Sequence, residues 1–590
     1  MDGKIVGING PLVVANGLGG ADAAGIVRIG SERLFGEILT IEDDIAKIRV
    51  FEETRGLGPG AEVQTTGAPL SVELGPGLLE NIYDGLQRPL TEIQSLKGWP
   101  VPRGDDIPAL DRKRLWEFDP VAAVGDEVTG GSIIGTVIET PAIVHKIMIP
   151  HGISGLIESI EPGSFTVEQT VCTIKTQSGD VRNVSMMQRW PVRDARPFLK
   201  KSMPATPLVS GQRLIDTLFP IAKGGAGAVI GAYGSGKTVL LQQLAKWSDA
   251  GIVVYIGCGE RGSEMKDTLS EFSELRDPRS GETLIKRTVL IASASDMPIA
   301  AREAAIYTGL TIAEYYRDMG YDVAVIADST TRWAEALREI SRLMKEQTVE
   351  EGYPAYLGSR LAQFYGRAGL IDCIGGDNRK GSLTAIGAVS PSGGDLPDPV
   401  SQATKRIVKV LWDLDESLSN ARYFPAVNRF TSYSLYTEQL KTWFDANFGI
   451  DFAVNRSRSI ALLREETELQ KAVKLYGHDS LSALDRVTLE TAKIVREDFL
   501  QQNAADEADR YTSLEQQATL LSLILYYHDL CKDAISAGAD DTRTLFGLPV
   551  RRLIERARFV PSDEYETAYR QIAADLELQI GATLKGGDGE

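Results

Sequence analysis

A glycine-rich octapeptide, GAYGSGKT at residues 231–238, has the residue types and spacing that point most directly to chemistry. It fits G-x-x-x-x-G-K-[S/T]. The apolar run before it and the helix-like stretch VLLQQLAKWS after it make a chance match the weaker alternative. Backbone N–H groups of such a loop surround phosphate oxygens, while Lys237 would reach the β- and γ-phosphates and Thr238 would bind Mg²⁺. The residues expected to contact the nucleotide are Gly231, Ala232, Tyr233, Gly234, Ser235, Gly236, Lys237, Thr238 and Val239.

A second stretch, YIGCGERGSEM at 255–265, places Glu260 and Arg261 directly after an apolar strand. Ligands of parallel sheets bind beyond the carboxyl ends of the strands, so we expect Glu260 to face the same crevice as Lys237. A carboxylate there can polarise a water that attacks the γ-phosphate, a role that contributes about 10²–10⁴ in rate. Arg261 would bind phosphate or act as a structural partner. The alternative for both is an exposed Glu–Arg ion pair worth ~0–1 kcal/mol.

A third stretch, VAVIADSTTRWAEALRE at 323–339, ends an apolar run on Asp328. An acid at the end of a buried strand, downstream of a phosphate loop, is typical of a residue that helps to hold the metal. The alternative is that Asp328 caps the following helix, since Asp is also favoured at that position. We favour the metal role because the phosphate loop lies upstream.

A parallel sheet would have to position these three stretches. From about residue 208, β-branched apolar runs alternate with helical stretches, which indicates buried parallel strands in an α/β core. The strands are predicted at 229–233, 251–257, 288–293 and 321–328.

The fold class predicted for the whole chain is multidomain α/β. Short strands separated by turn residues predict the β-rich parts, and apolar residues at helical spacing predict the last domain. The expected domains are an N-terminal β-barrel (1–70), a connection into the core (71–109), a β-rich insertion (110–190), a P-loop nucleotide-binding domain that opens with a proline-rich linker (191–435), and a C-terminal helical domain (436–590) that ends in a short disordered tail (584–590).

The composition of the chain argues against several classes of protein. The 590 residues carry a formal net charge of −18, which argues against nucleic acid as the main ligand. The four cysteines are dispersed and form no CxxC pair, so neither a zinc site nor a disulfide framework is expected. No apolar run approaches the ~18 residues of a membrane-spanning helix, and the amino end lacks the features of a signal peptide.

Several long motifs resemble the catalytic A subunits of V/A-type rotary ATPases. The resemblance is strong to about residue 515 and weaker beyond. The stretches that carry it are GAYGSGKT, GCGERGSEM, FEETRGLGPGAEVQTTGAPLSVELGPGLLENIYDGLQRPL, MPIAAREAAIYTGLTIAEYYRDMGYDVAVIADSTTRWAEALREIS, EGYPAYLGSRLAQFYGRAG, AVSPSGGDLPDPV and RYFPAVNRFTSYSLY.

The resemblance implies an enzyme that couples ATP hydrolysis or synthesis to the movement of H⁺ or Na⁺ across a membrane. It implies ATP or ADP and Mg²⁺ as cofactors. The implied partners are three non-catalytic B-type subunits that alternate with three copies of this chain in a ring, central shaft subunits, a peripheral stalk and, indirectly, a membrane sector. The implied location is peripheral, on the cytoplasmic face of a membrane.

The resemblance also implies roles for single residues. Glu260, Lys237 and Arg261 would be catalytic, Thr238 and Asp328 would hold the metal, and the arginine finger would come from a neighbouring subunit. Phe424 matches the aromatic residue that packs on adenine.

The sequence also departs from the family pattern. Ser235 stands where many eukaryotic members have Cys, and Tyr233 stands where Phe is usual. Ala505 stands where the family usually has Phe, which should weaken adenine stacking by roughly 1 kcal/mol. Gln501 and Gln502 then remain as possible polar contacts to the nucleotide.

Two other classes of protein share some of these motifs. A non-catalytic nucleotide-binding subunit should lack Lys237 or Glu260, and this chain has both. A ring ATPase that moves RNA or protein could share the barrel and the core, but the acidic balance speaks against RNA. By comparison with the family, the insertion at 110–190 speaks against export ATPases.

Overall fold

The computed structural model describes residues 2–98, 101–391, 398–539 and 542–585. Its chain divides into two compact units. The first unit comprises Met1–Pro204, Lys223–Ala232 and Ala250–Val408, and the second unit comprises Ala205–Ala222, Tyr233–Asp249 and Lys409–Glu590.

The strands follow one another over most of the first 434 residues. In chain order they are β1 (Asp2–Asn9), β2 (Leu12–Asn16), β3 (Gly25–Ile29), β4 (Leu34–Glu42), β5 (Ile45–Val50), β6 (Glu62–Pro69), β7 (Ser71–Leu74), β8 (Ile82–Tyr83), β9 (Trp116–Pro120), β10 (Glu127–Val128), β11 (Ile133–Thr140), β12 (Ile143–Met148), β13 (Gly155–Ile160), β14 (Gly163–Phe165), β15 (Thr170–Lys175), β16 (Val181–Ser185), β17 (Gln188–Pro191), β18 (Lys200–Ser202), β19 (Ala226–Ile230), β20 (Ile252–Cys258), β21 (Thr288–Ser293), β22 (Asp322–Asp328), β23 (Gly369–Asp372), β24 (Lys380–Val389), β25 (Val410–Asp413) and β26 (Tyr433–Ser434).

The helices are concentrated in the second half of the chain. In chain order they are α1 (Leu90–Lys97), α2 (Arg213–Leu218), α3 (Lys237–Trp247), α4 (Gly262–Glu274), α5 (Ile299–Asp318), α6 (Thr330–Met344), α7 (Leu357–Gly366), α8 (Pro399–Ile407), α9 (Glu416–Asn420), α10 (Thr437–Phe448), α11 (Ile450–Tyr476), α12 (Ala483–Ile494), α13 (Leu514–Ser536), α14 (Thr542–Phe546), α15 (Pro549–Arg556) and α16 (Tyr565–Lys585), with a π-helical turn at Val495–Leu500.

The N-terminal part of the first unit is a closed antiparallel barrel with strand order β1-β2-β5-β4-β3-β6. Aliphatic side chains such as Val13, Val27 and Ile48 fill its interior. This arrangement follows from the period-2 alternation of the strands, which turns one face of each towards the barrel axis. The predicted N-terminal β-barrel is therefore confirmed.

A β-rich module follows in the same unit. Its two four-stranded sheets have the orders β10-β13-β15-β16 and β12-β11-β9-β14, and β17 pairs with β7. The stretch that sequence predicts as a proline-rich linker contains a strand, since β18 pairs antiparallel with β23. Prolines are compatible with this short edge strand because they flank it, at Pro197 and Pro204, and lie outside its ladder.

The core of the first unit is a parallel sheet with strand order β8-β21-β20-β22-β24-β19. Every residue of β20 and β21 is buried, which is why these strands appear in the sequence as continuous apolar runs. The predicted α/β core is confirmed. The strand predicted at 229–233 ends earlier, at Ile230, because the glycine-rich loop begins there.

The second unit is largely helical. Helix α13 buries Leu520, Leu521 and Ile524 and packs against α12 and α16, while β25 and β26 form a short antiparallel pair. The predicted C-terminal helical domain is confirmed. The backbone of α16 continues to Lys585, and residues 586–590 of the predicted tail lie outside the described residues, as do residues 392–397 of the family motif at 388–400. Among the residues that are described, no helix is both long and apolar enough to cross a membrane.

Candidate active site

The glycine-rich loop leaves β19 and enters α3. Gly234 and Gly236 have φ values of +81° and +94°, a left-handed conformation that glycine adopts at little cost. Gly236 occupies the position before α3, and the first amides of that helix have no acceptor within the helix. These amides and the positive end of the helix dipole suit an anionic ligand such as phosphate.

Lys237 and Thr238 are the first two residues of α3. Lys237 is largely buried, and Thr238 is half-buried. The turn that makes the loop compact therefore also brings both side chains to the end of the helix where phosphate would bind. Tyr233 is exposed on the loop, and Gly231 and Ala232 belong to the first unit.

A largely apolar cavity of about 230 Å³ lies in the second unit, next to the start of α3. Phe424 and Val239 supply apolar surface that is about half exposed. An apolar cleft with few polar groups suits a planar base such as adenine. The lining residues are Gln212, Ser235, Gly236, Val239, Leu240, Gln243, Leu414, Phe424, Pro425, Ala426, Gln502, Asn503, Ala504 and Ala505.

Gln502 forms part of this wall, but its side-chain amide is engaged within the chain. Its Nε2 donates to the carbonyl of Gly211 at 2.9 Å, and its Oε1 accepts from the amide of Arg213 at 2.8 Å. Its own backbone amide donates to the carbonyl of Phe424 at 2.8 Å. Gln502 therefore shapes the wall of the cavity through contacts within the chain, and Gln501 is not among the described residues that line it.

Sequence reasoning missed Arg213, which organises the wall. This fully buried guanidinium donates to the carbonyls of Phe499 and Gln501 and to the side chains of Asp509 and Thr512. These bonds join α2 to a segment almost 300 residues further along the chain. Nothing local marks Arg213, since only the folded chain brings its acceptors to it.

The apolar cavity beside Phe424 yields a prediction for Ala505. Replacing Ala505 with phenylalanine should add a ring to the same cavity as Phe424 and tighten ATP binding by about fivefold, equivalent to ~1 kcal/mol of aromatic contact. Ala508→Phe, on an exposed position outside the lining, is the matched control. Titration of both variants with ATP measures the difference. Equal affinity of Ala505→Phe and the unmodified chain would show that this position does not contact the base.

In the first unit, Glu260 lies in the loop that follows β20. Gly259 has φ +74°, and a Cβ there would lie 2.6 Å from the Cβ of Arg332, so glycine is required. The amide of Gly259 donates to the carbonyl of Ser293, and the carbonyl of Glu260 accepts from the amide of Ser295 at 3.0 Å. The loop after β20 is thus held against the loop after β21, beyond the carboxyl ends of both strands.

The electrostatic environment of Glu260 suits a base. Burial, together with the negative charges of Asp328 and Glu264, raises the pKa of this carboxyl to about 7, while Arg332 opposes the shift. A base whose pKa lies close to the working pH is both available and basic enough to accept a proton. Perturbed carboxyls of this kind are concentrated at functional sites.

The raised pKa of Glu260 predicts a pH profile. We expect kcat/KM for ATP hydrolysis by the assembled complex to rise as pH approaches 7 and to level off above it, because only the deprotonated carboxylate accepts a proton. Arg332→Gln removes the cation that lowers this pKa, so the midpoint should move to higher pH. Steady-state kinetics at pH values well below and well above 7 test both statements. A flat wild-type profile would contradict the assignment.

Asp328 ends β22 and is buried. The hydroxyl of Tyr255 donates to its Oδ2 at 3.3 Å. The helix-cap alternative is wrong, because Ser329 caps α6 and accepts from the amide of Arg332. The carboxylate of Asp328 is therefore not the cap of α6.

Arg261 occupies the position before α4, and its side chain is exposed. The cation that acts on the pKa of Glu260 is Arg332, from the first turn of α6, which also donates to Glu335. Sequence reasoning missed Arg332, although it stands four residues after Asp328. Its spacing is visible in the sequence, but its approach to the loop after β20 is not.

Four family models match the chain in succession. They are the ATP synthase alpha/beta family beta-barrel domain at residues 5–67, the alpha/beta subunit barrel-sandwich domain at 107–193, the alpha/beta family nucleotide-binding domain at 211–434, and the C-terminal domain of V and A type ATP synthase at 441–542. The nucleotide-binding match includes the glycine-rich loop, Glu260, Asp328 and Phe424.

Full-length relatives give the same assignment. The chain is 56% identical over 582 residues to the V-type ATP synthase alpha chain of Acetivibrio thermocellus, with 99% of each chain covered. It is 54% identical over 583 residues to the V-type ATP synthase alpha chain of Clostridioides difficile, with 99% of this chain and 98% of the relative covered.

A solved structure shares the fold. The assembled ATPase EscN from the type III secretion system of enteropathogenic E. coli superposes with a TM-score of 0.62 at 21% identity, covering 89% of this chain and 100% of EscN. At that identity the likeness concerns architecture alone. The full-length relatives and the family models place the chain in the family of V-type ATP synthase alpha chains, the catalytic subunits of rotary ATPases.

Proposed function

We propose that Glu260 is the base that activates water for ATP hydrolysis and that the same site forms ATP in the reverse direction. The observation that carries this assignment is a half-buried carboxyl with a pKa of about 7 in the loop beyond β20. During hydrolysis the oxygen of water bonds to the γ-phosphorus, and the bond from that phosphorus to the bridging oxygen of ADP breaks. Glu260 accepts the proton that the water loses and then releases it.

The glycine-rich loop and the start of α3 would bind the phosphates of the nucleotide. The amides around Gly234 and Gly236 would bind phosphate oxygens, and Lys237 would neutralise the β- and γ-phosphates. Arg261 would bind the phosphoryl group, since its exposed side chain can reach outward from the same loop as Glu260. The adenine ring of the nucleotide would occupy the apolar cavity beside Phe424.

Mg²⁺ would be held by the hydroxyl of Thr238 and the carboxylate of Asp328. Both are oxygen donors of the kind that Mg²⁺ prefers, and Asp328 has no capping role to fulfil. When bound, Mg²⁺ neutralises charge that develops on the phosphates.

The proposed assembly is a ring of three copies of this chain and three B-type subunits around a central shaft, with a peripheral stalk. The ring would attach to a membrane sector that moves H⁺ or Na⁺, which makes the chain a peripheral component on the cytoplasmic face. An arginine finger supplied by the neighbouring subunit would contribute about 10³–10⁵ in rate. The support is the full-length similarity to alpha chains of V-type ATP synthases.

The test compares the isolated chain with the assembled complex. The isolated chain should bind ATP but hydrolyse it slowly, because the arginine finger is missing, and adding B-type subunits should raise turnover by about 10³-fold or more. ATPase assays at fixed chain concentration and increasing B-type subunit measure this. Full turnover by the isolated chain would refute the proposal that the neighbouring subunit supplies an arginine to this site. Pumping into sealed vesicles, with and without Na⁺ or a protonophore, then identifies the ion.

A further inference from the structure

A second polar cavity, of about 370 Å³, lies in the first unit between the segment that precedes β18 and helices α5 and α7. None of its lining residues belongs to the glycine-rich loop, to the loop after β20 or to the end of β22. One carboxylate, Glu314, lines it together with five cations. The cations are Arg193, Lys201, Arg317, Arg360 and Arg367.

Tyr307 contributes a buried hydroxyl to this cavity. The residue is 3% exposed, and within the described part of the chain its hydroxyl has no hydrogen-bond partner. The guanidinium of Arg193 lies 5.0 Å from the centre of its ring, and the indole of Trp333 packs edge-on against it. A buried hydroxyl without a partner within the chain is costly, so its place in the wall of a cavity favours a polar ligand that can accept a hydrogen bond from it.

Arg360 contributes a cation whose neighbours leave most of its donors available. Its Nη1 donates to the neutral Oε1 of Gln363 at 3.2 Å, and its guanidinium lies 5.7 Å from the ring of Tyr356. Among the described residues, no carboxylate lies within ion-pair distance of Arg360. A guanidinium has five N–H donors in a planar fork, so one bond to an amide leaves it suited to a carboxylate or a phosphate.

The other arginines of the wall are already paired. Arg193 binds Glu303 and Glu37, and Arg367 donates to Glu314. Arg317 binds Asp318. These pairs offset the charges of the other three arginines and leave Arg360 as the guanidinium of the wall that is suited to a ligand.

We propose that this cavity binds an oxyanion, with Arg360 pairing with its charge and the Tyr307 hydroxyl donating a hydrogen bond. The oxyanion is either free inorganic phosphate or the carboxylate of an acidic side chain from a neighbouring chain of the assembly. Both present paired oxygens to the guanidinium, and the experiment separates them.

The first measurement uses inorganic phosphate and the full chain carrying Lys237→Ala, which weakens phosphate binding at the nucleotide site. Equilibrium dialysis should find one bound phosphate, and Arg360→Gln or Tyr307→Phe should weaken it at least tenfold. Arg182→Gln, an exposed arginine in the β-rich module, is the matched control and should leave binding unchanged. Tyr307→Phe should also raise the melting temperature without phosphate while reducing the increase that phosphate produces, a combination that a purely structural hydroxyl would not show.

The second measurement titrates the full chain with B-type subunits. If the chain binds no phosphate but Arg360→Gln weakens assembly at least tenfold relative to Arg182→Gln, the oxyanion is a carboxylate of the neighbouring chain. If phosphate does not bind and Arg360→Gln assembles like the control, the oxyanion site is refuted. That result would leave the ATP site unaffected, because the two sites share no residue.

Discussion

Replacing Glu260 with glutamine is expected to lower ATP turnover of the assembled complex by about 10²-fold or more, while nucleotide still binds. Glutamine has nearly the same shape as glutamate but cannot accept the proton that water loses. The phosphate loop and the apolar cavity, which would supply most contacts to the nucleotide, remain intact. Turnover and ATP affinity measured on the same preparation test the two halves of this prediction.

Measurements of thermal stability separate the loss of the catalytic base in Glu260→Gln from a loss of turnover through misfolding. The pKa of Glu260 is raised in the folded chain, from an ordinary value of 4.5 to about 7. The carboxylate therefore destabilises the folded state above pH 7, and this penalty disappears as pH falls below about 4.5. Glu260→Gln should consequently melt no lower than the unmodified chain at pH 8, with the difference vanishing in acid.

The matched control for Glu260→Gln is Glu264→Gln. Glu264 lies in the first turn of α4 and contributes to the raised pKa of Glu260, so its loss should lower that pKa and preserve turnover. If Glu260→Gln retains full turnover, or if Glu264→Gln loses as much, the base is not Glu260.

Replacing Lys237 with alanine is expected to abolish turnover and to weaken ATP binding by about 10–100-fold, the size of a lost charge-assisted hydrogen bond. Lys237 is largely buried at the start of α3, where its ammonium would bind the β- and γ-phosphates. Affinity for ATP and for adenosine should be measured in parallel, because adenosine uses only the apolar cavity and should bind as before.

Two variants accompany Lys237→Ala. Lys237→Arg keeps the charge but replaces a compact ammonium with a planar fork, so turnover should also be lost. Lys441→Ala removes an exposed lysine from α10 that pairs with Asp445, and it should change neither affinity nor turnover. Unchanged ATP affinity in Lys237→Ala would refute the role of Lys237 in phosphate binding.

The sequence by itself determined the local parts of the candidate site. The glycine-rich loop follows a buried strand, and Asp328 ends another. Those strands can be predicted from the sequence because each is a short continuous run of apolar residues. Ser329 rather than Asp328 caps α6, a distinction of one residue that sequence left open. The spacing of apolar residues also predicted the helical domain, and short strands between turn residues predicted the barrel. Side chains point to the same face at a regular spacing in a helix and at a different one in a strand.

Tertiary structure alone decided what surrounds those parts. The pKa of Glu260 depends on burial and on Asp328 and Arg332, which arrive on a different strand and helix. The contact of Gln502 with the nucleotide stays a prediction. Arg213 and Gln502 are almost 300 residues apart in the sequence, and the hydrogen bond between them holds Gln502 in the cavity wall. Local pattern cannot encode such contacts, because they form only when the folded chain has closed long loops and buried both partners together.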